Sequence, residues 1–218
     1  MDGAMALVNA DTCRLCLVTP FGATPETFST ALEAALAGGD VASLIVTAAP
    51  GELDRLAATT VPLAQAHGVA ALIHNDREIA LNTGADGVHV DDRRADLAAI
   101  VAALHPDRTA GIGNLTSRHD AMTAGEAQPD YVFFGQLDGD SGAAIFPRAL
   151  DLAEWWSALF EIPAVVIGGA DLASVRQAVN AGIEFVALRR AVWEYPDGPG
   201  AAVAAANRLL VETQGAAP

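Results

Sequence analysis

Residues 72–92, LIHNDREIALNTGADGVHVDD, decide the architecture. Leu72 and Ile73 belong to an apolar run, VAALIH (69–74), that ends in Asn75 and Asp76. A segment of helical composition follows, DREIALNTG. A second short run, GVHV (87–90), carries His89 and is followed by Asp91 and Asp92. This is a strand, a helix and a strand, and both strands end in carboxylates. Acidic strand ends suit a metal or a cationic intermediate.

The same unit recurs in both directions. Apolar runs stand at RLCLVT (14–19), VASLIV (41–46), VAALIH (69–74), GVHV (87–90), TAGIG (109–113), YVFFG (131–135), AVVIG (164–168) and FVAL (185–188). Runs that are apolar on both faces read as buried parallel strands. The gaps hold helical segments: PETFSTALEAALAGG, ELDRLAATTVPLAQAHG, DREIALNTG, ADLAAIVAALH, SRHDAMTAGE, RALDLAEWWSALF, DLASVRQAVNAG and GAAVAAANRLL. The first has proline and glutamate early and glycines last, where helix termini favour them. Pro62 is expected to break the second. Eight strand-helix pairs predict a closed (β/α)8 TIM barrel in a single domain over residues 1–218, with loosely ordered ends at 1–12 and 213–218. An open doubly wound sheet is the alternative.

The chain has 218 residues, 52% hydrophobic and 18% charged, enough for a substantial core. A formal net charge of −15 argues against nonspecific partnership with nucleic acid or anionic membrane surfaces. All 12 basic residues are arginines, so no Schiff-base lysine and no lysine phosphate clamp exists. Cys13 and Cys16 form a C-x-x-C, but on a strand an odd spacing points them to opposite faces. They are read as buried thiols rather than a redox or metal pair. No run is long enough to span a membrane and no secretory signal is evident, so a cytoplasmic location is expected.

In a barrel the functional rim lies at the C-terminal strand ends. That rim gathers His74, Asn75 and Asp76 from strand three, and His89, Asp91 and Asp92 from strand four. Gly113, Asn114 and Thr116 come from strand five, and Gly135, Gln136 and Asp138 from strand six. Gly168 and Gly169 come from strand seven, and Arg189 and Arg190 from strand eight. Glycines before a helix let backbone N–H groups approach an anion, and guanidinium groups suit phosphate. Gly168, Gly169, Arg189 and Arg190 are therefore the expected substrate-phosphate site; the alternative is a tight turn at the glycines, with the arginines paired to surface carboxylates such as Glu194. Asp76 is a candidate Mg2+ ligand, joined by Asp91 or Asp92 from the next strand, and also a candidate helix cap. His74 and His89 are read as hydrogen-bonded structural histidines, and His119 as lying near a helix start. Trp155 and Trp156 are read as outer-layer packing or as a contact in a homo-oligomer.

AHGVAALIHNDREIALNTGADGVHV, DYVFFG and PAVVIGGADLASVRQAVNAGIEFVAL together resemble the thiamine-phosphate synthase family, which includes a thiazole tautomerase branch. The resemblance runs from RLCLVTP to FVALRRAVWE. It implies a barrel whose partner is a small phosphorylated heterocyclic metabolite of the pyrimidine or thiazole type. The family's synthases ionise a pyrimidine-methyl diphosphate with Mg2+ and basic groups, and the thiazole nitrogen captures the resulting cation. Asn75 and Asp76 match the family's diphosphate-binding Asn and metal-binding Asp. The second metal carboxylate falls near Arg94, with Asp92 or Asp96 as a shifted substitute. Gly168 and Gly169 match the glycine pair, and Arg189 and Arg190 stand where the family has Val-Ser. Other positions differ: the Gln-x-Arg-x-Lys pattern of strand two reads SLIVT (43–47), a serine after strand five reads Leu115, and the threonine-rich loop with its lysine reads QLDGDSGAAIF (136–146). The tautomerase histidine aligns near Ser117, with His119 as a displaced equivalent. The resemblance thus implies a catalytic set of Asn75, Asp76 and His119 in a divergent synthase-like barrel. The alternative is a phosphate-metabolite binder or a tautomerase-like protein.

Overall fold

The computed structural model describes residues 12–92 and 94–215, so most of the ends expected to be loosely ordered lie outside the described residues. Eight parallel strands close in chain order: β1 (Arg14–Val18), β2 (Ser43–Val46), β3 (Ala70–His74), β4 (Gly87–Val90), β5 (Thr109–Leu115), β6 (Tyr131–Phe134), β7 (Ala164–Ile167) and β8 (Phe185–Leu188). Pairing of β1 with β8, Leu17 opposite Leu188, closes the ring and excludes the open sheet. Helices follow each strand: α1 (Pro25–Ala37), α2 (Leu53–Ala66), α3 (Arg77–Thr83), α4 (Leu97–Leu104), α5 (Arg118–Glu126), α6 (Pro147–Ser157), α7 (Ser174–Asn180), a short α8 (Arg190–Trp193) and α9 (Pro199–Gln214). Among the described residues no helix is long and apolar enough to cross a membrane.

The strand pattern explains the two layers of core. Alternate side chains of a strand point to opposite faces. Leu44, Val46, Ile73, Val88, Phe134, Val166 and Leu188 face the helices. Cys16, Val18, Ile45, Leu72, Tyr131, Phe133, Val165, Ile167, Phe185 and Ala187 fill the barrel. Two aromatic side chains from β6 fit inside because β5 presents a glycine beside them. A Cβ on Gly111 would lie 1.9 Å from Tyr131 Cζ.

Two details depart from the sequence reading. Helix α2 runs unbroken through Pro62. Pro62 and Ala58, whose carbonyl loses its partner, are both exposed, so water can satisfy that oxygen, while Leu56, Ala57, Thr60, Val61 and Ala64 hold the other face in the core. Helix α8 was not anticipated: four residues are too few for periodicity to register. Cys13 and Cys16 are free and buried, Cys13 in the outer layer and Cys16 inside the barrel.

Candidate active site

Every strand end named above lies on one rim, because the strands are parallel and the ring is closed. Asp76 and Gly169 share that rim. It divides into two polar assemblies.

The first spans β2 to β4. Asn75 follows β3 with φ 56°, a left-handed conformation that asparagine tolerates. This turn aims its side chain at the next strand end. Asn75 Nδ2 donates to Asp91 Oδ1 at 2.6 Å, and Asp91 N–H donates to Asn75 Oδ1 at 2.8 Å. The same Asp91 oxygen lies 2.9 Å from His74 Nε2. The other ring nitrogen, Nδ1, lies 3.1 Å from Thr47 Oγ1 at the end of β2. With Asp91 accepting from Nε2–H, Nδ1 is left to accept the Thr47 hydroxyl proton. Partial burial alone would raise the Asp91 carboxyl. Hydrogen bonds from His74 and Asn75, with the nearby imidazoles, outweigh it and hold Asp91 at about 2.

Beneath this assembly His89 is fully buried, its Nδ1 2.9 Å from the Tyr131 hydroxyl. Its Nε2 has no hydrogen-bond partner. Burial, aided by His74 and opposed by Asp91, lowers its pKa to about 3, so the ring is neutral. Gly113 leaves the room: a Cβ there would lie 2.7 Å from His89 Nε2. The structural role read for His89 fits this burial. His74 differs, since it is partly exposed at the mouth and paired with a carboxylate.

Asp76 caps α3, with Oδ1 accepting Ile79 N–H at 2.8 Å. Asp92 accepts Arg94 N–H at 2.9 Å. Asp92 lines a cavity of about 310 Å3 with Asn114, Asp120 and His119, which is exposed on α5. Among the described residues no group of three or more His, Cys, Asp or Glu side chains is arranged to hold a metal. Asp76 and Asp92 therefore do not make a cage for Mg2+ by themselves.

The second assembly spans β6 to β8. The loop 136–146 folds over the mouth and buries Asp140, which is 1% exposed. Asp140 Oδ1 accepts from Arg189 Nε at 3.1 Å and also from Arg189 Nη2, while Oδ2 accepts Arg190 N–H at 2.8 Å. The Arg189 guanidinium also covers the Phe21 ring, 5.5 Å from its centroid. Arg190 turns outward and forks onto Glu194, with contacts of 2.9–3.0 Å. After β7, Ala170 N–H donates to Gly142 O at 2.7 Å and Asp171 N–H to Ala143 O at 3.3 Å. Gly169 permits this approach, because a Cβ there would lie 2.1 Å from Ala143 O. The structure thus brings Gly169, Arg189 and the Arg190 amide together, and engages Arg189, that amide and the amides that follow Gly169 with the chain's own loop. Sequence reasoning sees 136–146 as one acidic loop, and nothing in it singles out Asp140. Thr47 was likewise read only as a position where a base is lacking.

Residues 15–192 match a family model described as thiamine monophosphate synthase. The chain belongs to this family. The thiamine-phosphate synthase of Rhodospirillum centenum is 36% identical over 91% of this chain and 98% of that protein. That of Hyphomonas neptunium is 37% identical over 90% of this chain and 93% of that protein. Among solved structures, thiamine phosphate pyrophosphorylase from Pyrococcus furiosus superposes with a TM-score of 0.74 at 21% identity, covering 94% of this chain and 98% of that one. At that identity the likeness speaks for the barrel alone. Thiamine-phosphate synthase family membership and the (β/α)8 fold therefore stand as the resemblance implied.

Proposed function

We propose that this chain is a cytoplasmic, thiamine-phosphate-synthase-like transferase that takes phosphorylated pyrimidine and thiazole intermediates on its C-terminal rim. Family membership supports the substrate class. The observation that carries the reading is the anion seat on β8, a guanidinium and a backbone N–H converging on one buried carboxylate. In this reading Gly168, Gly169, Arg189 and Arg190 hold the thiazole phosphate, with Arg190 acting through its backbone. Asn75 offers an amide to the diphosphate. Asp76 and Asp92 would hold Mg2+ jointly with diphosphate oxygens, and the ion would stabilise negative charge on the departing group. No base on β2 assists, since SLIVT (43–47) has none. Loss of one preorganised donor in a water-excluded site costs on the order of 10²–10³ in rate, so diphosphate departure is expected to be slow.

One observation favours a second reading, proton transfer on a bound heterocycle. His74, held by Asp91 and Thr47, is a partly exposed imidazole-carboxylate pair, and His119 lines the neighbouring cavity. This is the tautomerase-like alternative. The test is turnover by purified protein with Mg2+. Formation of thiamine phosphate from the pyrimidine diphosphate and thiazole phosphate supports the first reading. No product at high enzyme concentration overturns it, and a thiazole isomerisation lost in His74→Gln then supports the second.

A further inference from the structure

The anion seat between β7 and β8 is occupied from within. A barrel offers phosphate two sets of donors there, amides after β7 and donors at the start of the helix after β8. The loop 136–146 takes both sets. Its Gly142 and Ala143 carbonyls accept the Ala170 and Asp171 N–H groups, and its Asp140 carboxylate accepts Arg189 and the Arg190 N–H. A carboxylate and a phosphate oxygen pair match the same guanidinium fork. Asp140 therefore gives these donors anionic oxygens of the kind a phosphate would offer them. Leu137, Asp140 and Ile145 anchor the loop in the core, and the segment between the last two is the part free to move. Residues 141–144 are exposed, and Ile145 N–H is held by a single side chain, Gln177, at 2.9 Å.

We propose that Asp140 is a specificity-determining residue, an internal stand-in for the ligand's phosphate, and that the seat opens only to an anion able to displace it. This rests on the reading that a phosphorylated ligand uses this rim. When the competent state is one fraction of the population, apparent affinity falls by that fraction. A ligand without phosphate meets a seat already neutralised, and a phosphate monoester competes with a tethered carboxylate.

The experiment is calorimetric titration with inorganic phosphate at fixed ionic strength. Asp140→Asn is expected to bind about tenfold or more tightly than the wild type, and the double variant Asp140→Asn/Arg189→Gln to lose that gain. Asp140→Ser, which keeps an acceptor for the Arg190 N–H, replaces the asparagine variant should that one fail to fold. In the wild type, phosphate at saturating concentration is expected to speed amide exchange across residues 139–143. Affinity no greater in the variant, or unchanged exchange in the wild type, overturns the proposal. Equal, Arg189-dependent affinity with and without Asp140 would leave the seat of the proposed function standing while removing the role of Asp140. Absence of binding in every protein would remove both.

Discussion

The buried His89 makes a quantitative prediction about acid stability. The folded barrel holds this imidazole neutral down to about pH 3, because burial disfavours its charged form. The unfolded chain releases it to water, where it takes a proton near the usual ~6.5. Below that value the unfolded state binds a proton that the folded state refuses, so stability falls as pH drops from about 6.5 towards 3. At pH 5 the unfolded histidine lies about 1.5 units below its pKa, and one unit corresponds to about 1.4 kcal/mol, so His89 alone removes about 2 kcal/mol between pH 7 and pH 5. The figure depends on the unfolded pKa and not on how far burial depresses the folded one.

The assay is urea unfolding at pH 7 and pH 5. The comparison is His89→Leu/Tyr131→Phe, which removes both partners of the 2.9 Å contact and leaves no orphaned polar atom. The wild type is expected to lose about 2 kcal/mol more than this variant over the interval. Asp91 does not intrude: its pKa is depressed to about 2 from 3.8, so its stabilisation is present above about 3.8 and is lost as pH falls towards 2, below the interval compared. Equal pH dependence in the two proteins, within roughly 0.5 kcal/mol, would refute the claim that a neutral buried His89 is held against protonation.

Other perturbations test other links. Arg189→Ala should destabilise by about 3–5 kcal/mol in urea unfolding, because it leaves Asp140 buried and unpaired. Arg190→Ala should leave the midpoint nearly unchanged, since its guanidinium pairs in solvent with Glu194. Gly111→Ala should cost about 1–3 kcal/mol by driving a methyl into Tyr131, while Gly22→Ala, with open space around it, serves as the control. Asp76→Ala should lose about 0.5–2 kcal/mol with the cap, whereas Asp76→Asn should keep the cap and lower the Mg2+ dependence of turnover. Neither thiol should react with an aromatic disulfide reagent in the native state at pH 8, and both should react in urea. Burial raises both, Cys16 to about 11 and Cys13 further.

Most of the fold was legible because it rests on local signals that repeat. VAALIH, GVHV and AVVIG are apolar on both faces, and only a sheet covered on both sides hides such strands. Chain order then gave strand neighbours, and the parallel ring gave the rim. The Asp76 cap was legible for the same reason: a carboxylate immediately before a helix has a local role. The Asp140 to Arg189 contact was not, because 49 residues and a loop without periodicity separate the partners. Nor was the Thr47, His74, Asp91 and Asn75 assembly. It depends on how far each side chain reaches across three strand ends, and the left-handed turn at Asn75 that completes it has no glycine to signal it.

The two halves of the rim differ in how they satisfy charge. On β2 to β4 an anion, Asp91, is held by neutral donors and an imidazole. On β6 to β8 a cation, Arg189, is held by a buried anion, Asp140. A partly buried guanidinium left without a counter-charge would be costly to fold. A carboxylate carried on a neighbouring loop neutralises it while leaving the donors in place. Electrostatic demand beside β8 therefore accounts for the buried acidic residue at position 140. Under the proposed displacement, the charge on position 140, rather than the two arginines alone, is the variable that would set which ligands the rim admits.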